Sequence, residues 1–290
     1  MIAIIGVVVV LGAVLGGFVM AGGHPLVLVH VSEFVVIGGA AIGALIVMSP
    51  KKVLMDIVKG LMQVVKGAPY NRGAYDELMK ALYELFLLGK RDGMIALEEH
   101  VSNPQQSTIF TKYPTFVNNH HGVEFLCNAL RPIVDGRVKP EQLRTLLDTE
   151  LNATEQEHHA PIGVLAKIAD SLPGFGIVAA VLGIIITMGA ISGPPEQIGE
   201  KVAAALVGTF LGILLSYGFV APLAVNLEFI SGAEMLYLRC IGTAVAGFAN
   251  GMAPIMAVEV ARRGLTSDVR PGADELETML KGLNAQKPAQ

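Results

Sequence analysis

The sequence is poor in charge and has no excess of basic residues. Only 16% of its 290 residues are charged, and the formal net charge is −4 at pH 7. A protein that binds nucleic acid needs a basic patch to neutralise phosphates, so this balance argues against DNA or RNA as a partner. With 52% hydrophobic residues and a mean hydropathy of +0.57, the chain is also too apolar for a soluble domain alone.

Sequence motifs of enzyme chemistry are missing as well. The chain contains no Walker loop, no nucleophile elbow and no G-x-G-x-x-G segment between a strand and a helix. His and Glu cluster at 120–124 and again at 155–159, but neither cluster has the spacing of known zinc ligands. We interpret both clusters as solvated surface, and we predict no enzymatic activity, no metal site and no cofactor.

Four segments are long and apolar enough to cross a membrane. A hydrocarbon layer about 30 Å thick requires roughly 20 apolar residues in a helix. Short polar breaks at His24-Pro25 and at Gly193–Glu196 join these segments into two hairpins. The predicted spans are Ile2–Met20, Leu26–Met48, Leu172–Ile191 and Val202–Leu227.

The sequence therefore predicts an all-α membrane protein, with four transmembrane helices in two hairpins and a large helical cytoplasmic domain. Within that domain, Ala74–Leu88 places leucines three or four residues apart, which is typical of an amphipathic helix. The predicted divisions are hairpin 1 at 1–48, the cytoplasmic domain at 49–171, hairpin 2 at 172–228, and a cytoplasmic C-terminal helix and tail at 229–290.

Two segments allow a second interpretation. Ile2–Met20 could be a secretory signal, but it lacks a basic n-region and a small-residue cleavage site. Ile241–Val258 is free of charge and could be a fifth span. Its Asn250, Pro254 and glycines favour a helix packed on other helices near the inner membrane surface.

The basic residues predict the orientation in the membrane. Lys51 and Lys52 follow the first hairpin, and Arg239 follows the second, whereas Lys201 is the single basic residue in a predicted outside loop. Basic residues favour the cytoplasmic side, so both termini are predicted to be cytoplasmic, in a bacterial inner membrane. Cys127 and Cys240 then lie in a reducing compartment, where we expect free, packed thiols.

Small residues form one face of each of the last two spans. The residues of these faces are Pro173, Gly176, Ala180, Gly183 and Thr187 in the third span, and Ala205, Thr209, Gly212 and Ser216 in the fourth. Small side chains let helices pack closely in lipid. The same face could also line a pore, because Pro173 leaves a backbone carbonyl without its helical donor and the hydroxyls of Thr187, Thr209 and Ser216 could hold water. The two interpretations are compatible, and the sequence leaves both open.

Glu33 is the only carboxylate within a predicted span. An acid inside a membrane is costly and is functional by default, but near the outer end of a span its side chain can reach the interface. We interpret Glu33 as a structural or gating residue. Neither small-residue face contains Asp or Glu, so if ions move along these faces, the titrating carboxylate must come from another subunit.

The longer motifs of the chain resemble the MotA family of flagellar stator subunits. The segments that carry this resemblance are Asp170–Ala180 (DSLPGFGIVAA), Val207–Leu214 (VGTFLGIL), Gly93–Glu98 (GMIALE), Asn103-Pro104, Tyr217-Gly218 and Ala221-Pro222. They occur in the family's order over nearly the whole chain. The broader family of TolQ and ExbB energising proteins shares the membrane part.

The resemblance implies a ring of five such subunits around two copies of MotB, whose transmembrane helix supplies the ion-binding aspartate. The implied ion pathway follows Pro173, Ala180, Thr209, Tyr217 and Thr187. Family members that use sodium tend to carry a hydroxyl at the position of Ala180, so the alanine implies proton transport. Pro222 and Glu33 are the implied coupling residues.

The resemblance also implies a contact with the rotor protein FliG through Lys90, Arg91, Glu98 and Glu99. The family's usual arginine aligns with Lys90, so the basic role lies with either Lys90 or Arg91. Taken alone, these charges are typical of a solvated helix face. Other function classes remain open: a TolQ or ExbB type energiser of an outer-membrane process, or a structural scaffold. A secondary transporter is disfavoured because no inverted repeat is visible.

Overall fold

The structure is a computed structural model that describes residues 2–189 and 191–285, and every regular element in those two ranges is a helix. The predicted all-α fold class is confirmed. The α-helices are α1 (Ile2–Met20), α2 (Val31–Met48), α3 (Lys51–Lys66), α4 (Arg72–Asp92), α5 (Glu98–Ser102), α6 (Pro114–Val117), α7 (His120–Val134), α8 (Pro140–Met188), α9 (Pro195–Ile213), α10 (Ala221–Ala249), α11 (Pro254–Arg263) and α12 (Ala273–Ala285). The end of the predicted tail, 286–290, lies outside the described residues.

Four helical segments are long and apolar enough to cross a membrane, as predicted. They are Ile2–Met20, Pro25–Met48, Pro140–Met188 and Pro195–Ala249. The second span begins with a 3₁₀ turn at Pro25–Leu28 before α2 starts. The last two spans are parts of much longer helices, and α9 begins at Pro195, because proline is well tolerated in the first turn of a helix.

The chain divides into two compact units. The first comprises the residues up to Gly67 together with 156–230, and it contains the first two apolar segments and most of the other two. Its main core joins α2, α8 and α9 through Ile37, Ile168, Leu172, Ala179, Val207 and Leu211. A second, smaller core surrounds Val64 and Leu227, and Gly60 of α3 makes room for the Leu227 side chain. An exposed ion pair of 2.8 Å joins Lys52 to Glu157.

The second unit comprises 68–155 and the residues from Ser231 onward. The predicted amphipathic helix forms its centre as α4, in which Leu78, Ala81, Leu82 and Leu85 are fully buried and Leu88 is half-buried. Phe86 of α4 stacks on Phe248 of α10, with ring centroids 4.4 Å apart. Cys127 and Cys240 are buried free thiols in this unit.

The doubtful segment Ile241–Val258 belongs to the core of this second unit. Its apolar residues Ile241, Ala244, Val245, Ala257 and Val258 have no exposed surface. α10 ends at Ala249, and α11 begins at Pro254 after a turn that contains Gly251 at φ +85°. The structure therefore favours a helix packed on other helices over a fifth membrane span.

Candidate functional site

The small-residue faces of α8 and α9 pack directly against each other. A β-carbon on Gly176 would lie 2.8 Å from the Gly208 carbonyl oxygen and 3.1 Å from the Gly212 Cα. One on Gly183 would lie 2.8 Å from the Ala205 β-carbon. The glycines thus let the two backbones approach, which is the packing interpretation of these residues.

Glu33 of α2 lies at the same helix contact. Its side chain is only 6% exposed, and its Oε2 has no hydrogen-bond partner among residues 2–189 and 191–285. A β-carbon on Gly208 would lie 2.6 Å from this oxygen and 3.2 Å from the Ala180 backbone nitrogen. The carboxylate therefore occupies the space that Gly208 leaves open, beside Ala180, instead of reaching outward along its helix. A buried acid with an unpaired oxygen is costly in a membrane protein, which supports a functional role.

Pro173 of the implied pathway and the implied coupling residue Pro222 lie beside irregular backbone hydrogen bonding. Pro173 is half-buried inside α8, and Pro222 is exposed in the first turn of α10. Leu214–Val220, which connects α9 to α10, is a π-helix, a wide turn that is rare and is often found at functional sites. Ser216 of this π-helix donates a hydrogen bond of 2.6 Å to the Ala169 carbonyl of α8.

The remaining pathway candidates differ in their surroundings. Ala180 and Thr209 are half-buried, and the Thr209 Cα lies 3.3 Å from the position of a Gly176 β-carbon. Thr187 is buried, and its hydroxyl donates to the Gly183 carbonyl of its own helix at 2.8 Å. Tyr217 is 67% exposed on the surface of the first unit. The structure thus groups Glu33, Ala180 and Thr209 around the α8–α9 contact, and places Tyr217 on the surface.

The charged residues of the implied rotor contact lie close together along the chain in the second unit. Lys90 and Arg91 are in the last turn of α4, and Glu98 and Glu99 open α5. Gly93, at φ +87°, and the 3₁₀ turn Met94–Leu97 connect the two helices. All four charged side chains are exposed.

The two basic residues are not equivalent. Arg91 donates two hydrogen bonds to Asp92, of 2.7 and 2.6 Å, and these bonds raise the pKa of the guanidinium. Lys90 forms no ion pair within the described parts of the chain. Lys90 therefore presents a free charge at the end of α4, whereas the charge of Arg91 is largely compensated by its neighbour.

Buried His100 connects α5, which begins with Glu98 and Glu99, to the loop that follows it. Its ring is buried, and Nδ1 lies 2.8 Å from the Ser107 hydroxyl, which also accepts from the backbone nitrogens of Ile109 and Phe110. Burial lowers the pKa of His100 below its ordinary value of 6.5, and the Glu99 charge opposes this shift only in part. The neutral imidazole thus fixes α5 to the following loop, and so fixes where Glu98 and Glu99 lie.

A pH dependence follows from this buried histidine. Below pH 6.5 the unfolded chain takes up a proton on His100 more readily than the folded one, so this contribution to stability is present above pH 6.5 and is lost as the pH falls. We expect His100→Gln to shrink the drop in unfolding midpoint between neutral pH and about pH 5. Thermal unfolding of the purified variants measures it. The control, His159→Gln, changes an exposed residue and should leave the drop as it is; an equal drop in wild type and His100→Gln would contradict the assignment.

Comparison with known proteins identifies the family. The motility protein A N-terminal profile matches residues 4–93, and the MotA/TolQ/ExbB proton channel family profile matches residues 118–237. Motility protein A of Salmonella typhimurium is 38% identical over 98% of this chain and 96% of its own length. The Escherichia coli protein of that name is 37% identical, and chemotaxis protein LafT of Vibrio parahaemolyticus is 35% identical over 95% of this chain and 97% of its own.

Two solved structures share the fold. A Campylobacter jejuni MotAB structure superposes with a TM-score of 0.77 at 24% identity, covering 93% of this chain and 98% of the matched chain. The flagellar MotAB stator complex of Bacillus subtilis gives 0.74 at 23% identity, covering 95% and 98%. At these identities the structures support the fold alone.

These matches confirm the family that the sequence motifs indicated. The full-length relatives are motility proteins, so they do not favour a TolQ or ExbB type energiser, and a proton channel family is not a family of enzymes. Membership also confirms that this is a membrane protein of the inner-membrane type. The chain therefore belongs to the motility protein A family, the flagellar stator branch of the MotA/TolQ/ExbB proton channel proteins.

Proposed function

We propose that this flagellar stator subunit conducts protons together with MotB, whose transmembrane helix supplies the ion-binding carboxylate. The observation that carries the proposal is the α8–α9 face: neither helix contributes an Asp or Glu to it, and Glu33 of α2 reaches the contact beside Ala180, seven residues or about 10 Å along α8 from Pro173. A proton pathway along the part of this face at Pro173 needs a group that titrates there, and a partner helix is the proposed source. The chain belongs to the motility protein A family and shares the fold of MotAB complexes, so MotB is the proposed partner.

Protons are the proposed ion because of the residue at position 180. Ala180 offers no side-chain oxygen, and its backbone nitrogen lies at the crowded contact with Gly208. Hard metal cations are bound by several oxygen ligands, whereas a proton needs one titrating group, and sodium-using members of the family tend to carry a hydroxyl at this position, so the alanine suits protons. Each charge that crosses the membrane yields about 2.3 kcal/mol per 100 mV, which exceeds the roughly 1 kcal/mol net of a typical hydrogen bond. The transfer of one proton therefore releases enough free energy to replace one set of helix contacts by another.

The proposed topology places both termini, the α4–α5 charges and the second unit in the cytoplasm. Lys51 and Lys52 after the first hairpin, and Arg239 beyond the second, favour this orientation. There the subunit, as one of five around two MotB chains, would act on the rotor protein FliG. The exposed charges of Lys90, Glu98 and Glu99 form the proposed rotor contact, where surface charges mainly tune encounter and register.

Lys90, rather than Arg91, is the proposed basic contact, because only Lys90 is free of an ion pair within the described residues. We expect Lys90→Glu to cut swarm expansion by at least about half, because it reverses a free charge at the proposed contact, and Arg91→Glu to have a clearly smaller effect, because the Arg91 guanidinium is directed at Asp92. Soft-agar motility at matched membrane levels measures both. Lys139→Glu, at an exposed site before α8, is the control and should swim normally. A larger loss for Arg91→Glu than for Lys90→Glu would assign the contact to Arg91.

The function as a whole is tested by complementation. A strain that lacks its own stator is supplied with this chain and its cognate MotB, and swimming is scored together with membrane insertion. Restored swimming supports the proposal. Failure to swim, with both proteins in the membrane and a compatible rotor present, would reject it.

A further inference from the structure

One hydrogen bond in the first unit joins α8 to the π-helix across the helix contact. The Ser216 hydroxyl donates to the Ala169 carbonyl at 2.6 Å, and Ser216 is only 1% exposed. Two hydroxyls that lie on α8 itself behave differently. Ser171 donates to Lys167, and Thr187 donates to Gly183, both four residues back in the same helix. The carbonyls of Lys167 and Gly183 also have their usual helical donors, because Ser171 and Thr187 each carry a backbone N–H.

The Ala169 carbonyl is special because of its place in the sequence. In an α-helix, each carbonyl accepts from the N–H four residues later, and the residue four after Ala169 is Pro173, which has no N–H. A backbone carbonyl without a donor is costly when it is buried, above all in a membrane where water is scarce. Ser216 supplies the donor that Pro173 removes.

Local geometry explains how Ser216 reaches that carbonyl. One turn earlier, Gly212 packs on the backbone of α8: a β-carbon there would lie 2.6 Å from the Leu172 carbonyl oxygen. This close approach brings the following turn of the helix within hydrogen-bond distance of Ala169. That turn is π-helical, and the Ala221 N–H bonds to the Ser216 carbonyl five residues back. Ser216 therefore contacts the proline site of α8 through its side chain, and the first turn of α10, which contains Pro222, through its carbonyl.

We propose that Ser216 is a positioning residue of the ion-coupled movement, which holds Pro173 in place by bonding the carbonyl that the proline leaves open. The inference rests on the proposed function, since it assigns Ser216 to the same site. This hydrogen bond connects the region of α8 at Pro173 to the region of α10 at Pro222, and it can break and re-form. When the helix contact at Pro173 shifts, this bond breaks and re-forms, and its change passes directly into the π-helix that precedes Pro222.

A double-mutant cycle tests the inference in the complex with MotB. We expect Ser216→Ala to lower the unfolding midpoint by about 2–4 °C and to slow swimming at matched membrane levels. Ser216→Thr keeps a hydroxyl and should restore most of both. In a Pro173→Ala background, residue 173 regains its N–H, so the additional Ser216→Ala change should shift the midpoint little or not at all.

The matched control is Ser171→Ala, which removes a hydroxyl from the same helix without removing a bond between helices, and it should leave midpoint and swimming unchanged. An equal midpoint shift by Ser216→Ala with and without Pro173 would overturn the inference, as would a failure of Ser216→Thr to restore swimming. The outcome is separable from the proposed function: if the wild type does not drive swimming, the function fails, whereas a swimming wild type with no coupling between Ser216 and Pro173 rejects only the role of Ser216.

Discussion

Pro173→Ala is expected to abolish swimming while the protein remains in the membrane at normal levels. The substitution gives residue 173 an N–H for the Ala169 carbonyl, so α8 becomes a regular helix at this point. A proline inside a helix costs about 3 kcal/mol or more, and the alanine should therefore leave the chain at least as stable as the wild type. The substitution removes the open carbonyl of Ala169. It also removes the irregular point of α8 at which the contact with α9 can change. Swimming speed, read against membrane protein level, measures the effect.

Pro161 provides a matched control on the same helix. It also lies inside α8 and is buried, but it is outside the predicted span that begins at Leu172 and outside the small-residue face. Pro161→Ala should keep most of the swimming. If it stops swimming as completely as Pro173→Ala does, the effect belongs to the rigidity of α8 as a whole, and the assignment of Pro173 to the ion pathway is wrong.

The sequence predicted the fold well because the membrane enforces simple rules. An apolar stretch of about 20 residues has to be helical in lipid, so the four spans and their two hairpins could be read directly. The position of the helix ends was less certain. The third span was expected to reach Ile191, whereas α8 ends at Met188, and the fourth begins at Pro195, before the predicted Val202. Hydropathy locates the apolar middle of a helix and does not indicate the polar turns at its ends.

The pairing of residues across helices could not be predicted. The sequence showed that Pro173 leaves a carbonyl open, but not that Ser216, 47 positions after Ala169, donates to that carbonyl. It also placed Glu33 near the outer end of a span, and only packing shows that Gly208 opens a space for its carboxylate. The charge pairing of Arg91 with Asp92 joins neighbours of the same helix, and it too depends on side-chain rotamers that the sequence does not specify. Periodicity fixes which residues share a face, and it does not say which face of another helix they meet.

Gly212→Ala is expected to disrupt the α8–α9 contact and to abolish swimming through loss of folded protein. A β-carbon at this position would lie 2.6 Å from the Leu172 carbonyl oxygen, and 2.8 and 3.0 Å from the Gly176 Cα and nitrogen. All three atoms are backbone, so no side chain can rotate away, and one of the two helices has to move. Overpacking of this kind costs about 1–3 kcal/mol, and we expect the upper end. A lowered unfolding midpoint and reduced membrane level measure the effect.

Gly163→Ala is the control, since nothing lies within 4 Å of a β-carbon on this residue of α8. There the substitution should leave stability unchanged or raise it slightly, because alanine favours a helix over glycine by about 1 kcal/mol. Normal stability of Gly212→Ala would mean that α8 and α9 can separate at little cost. In that case the small-residue faces of α8 and α9 are not tightly packed. The approach of Ser216 to the carbonyl of Ala169 would then need an explanation other than close packing at Gly212.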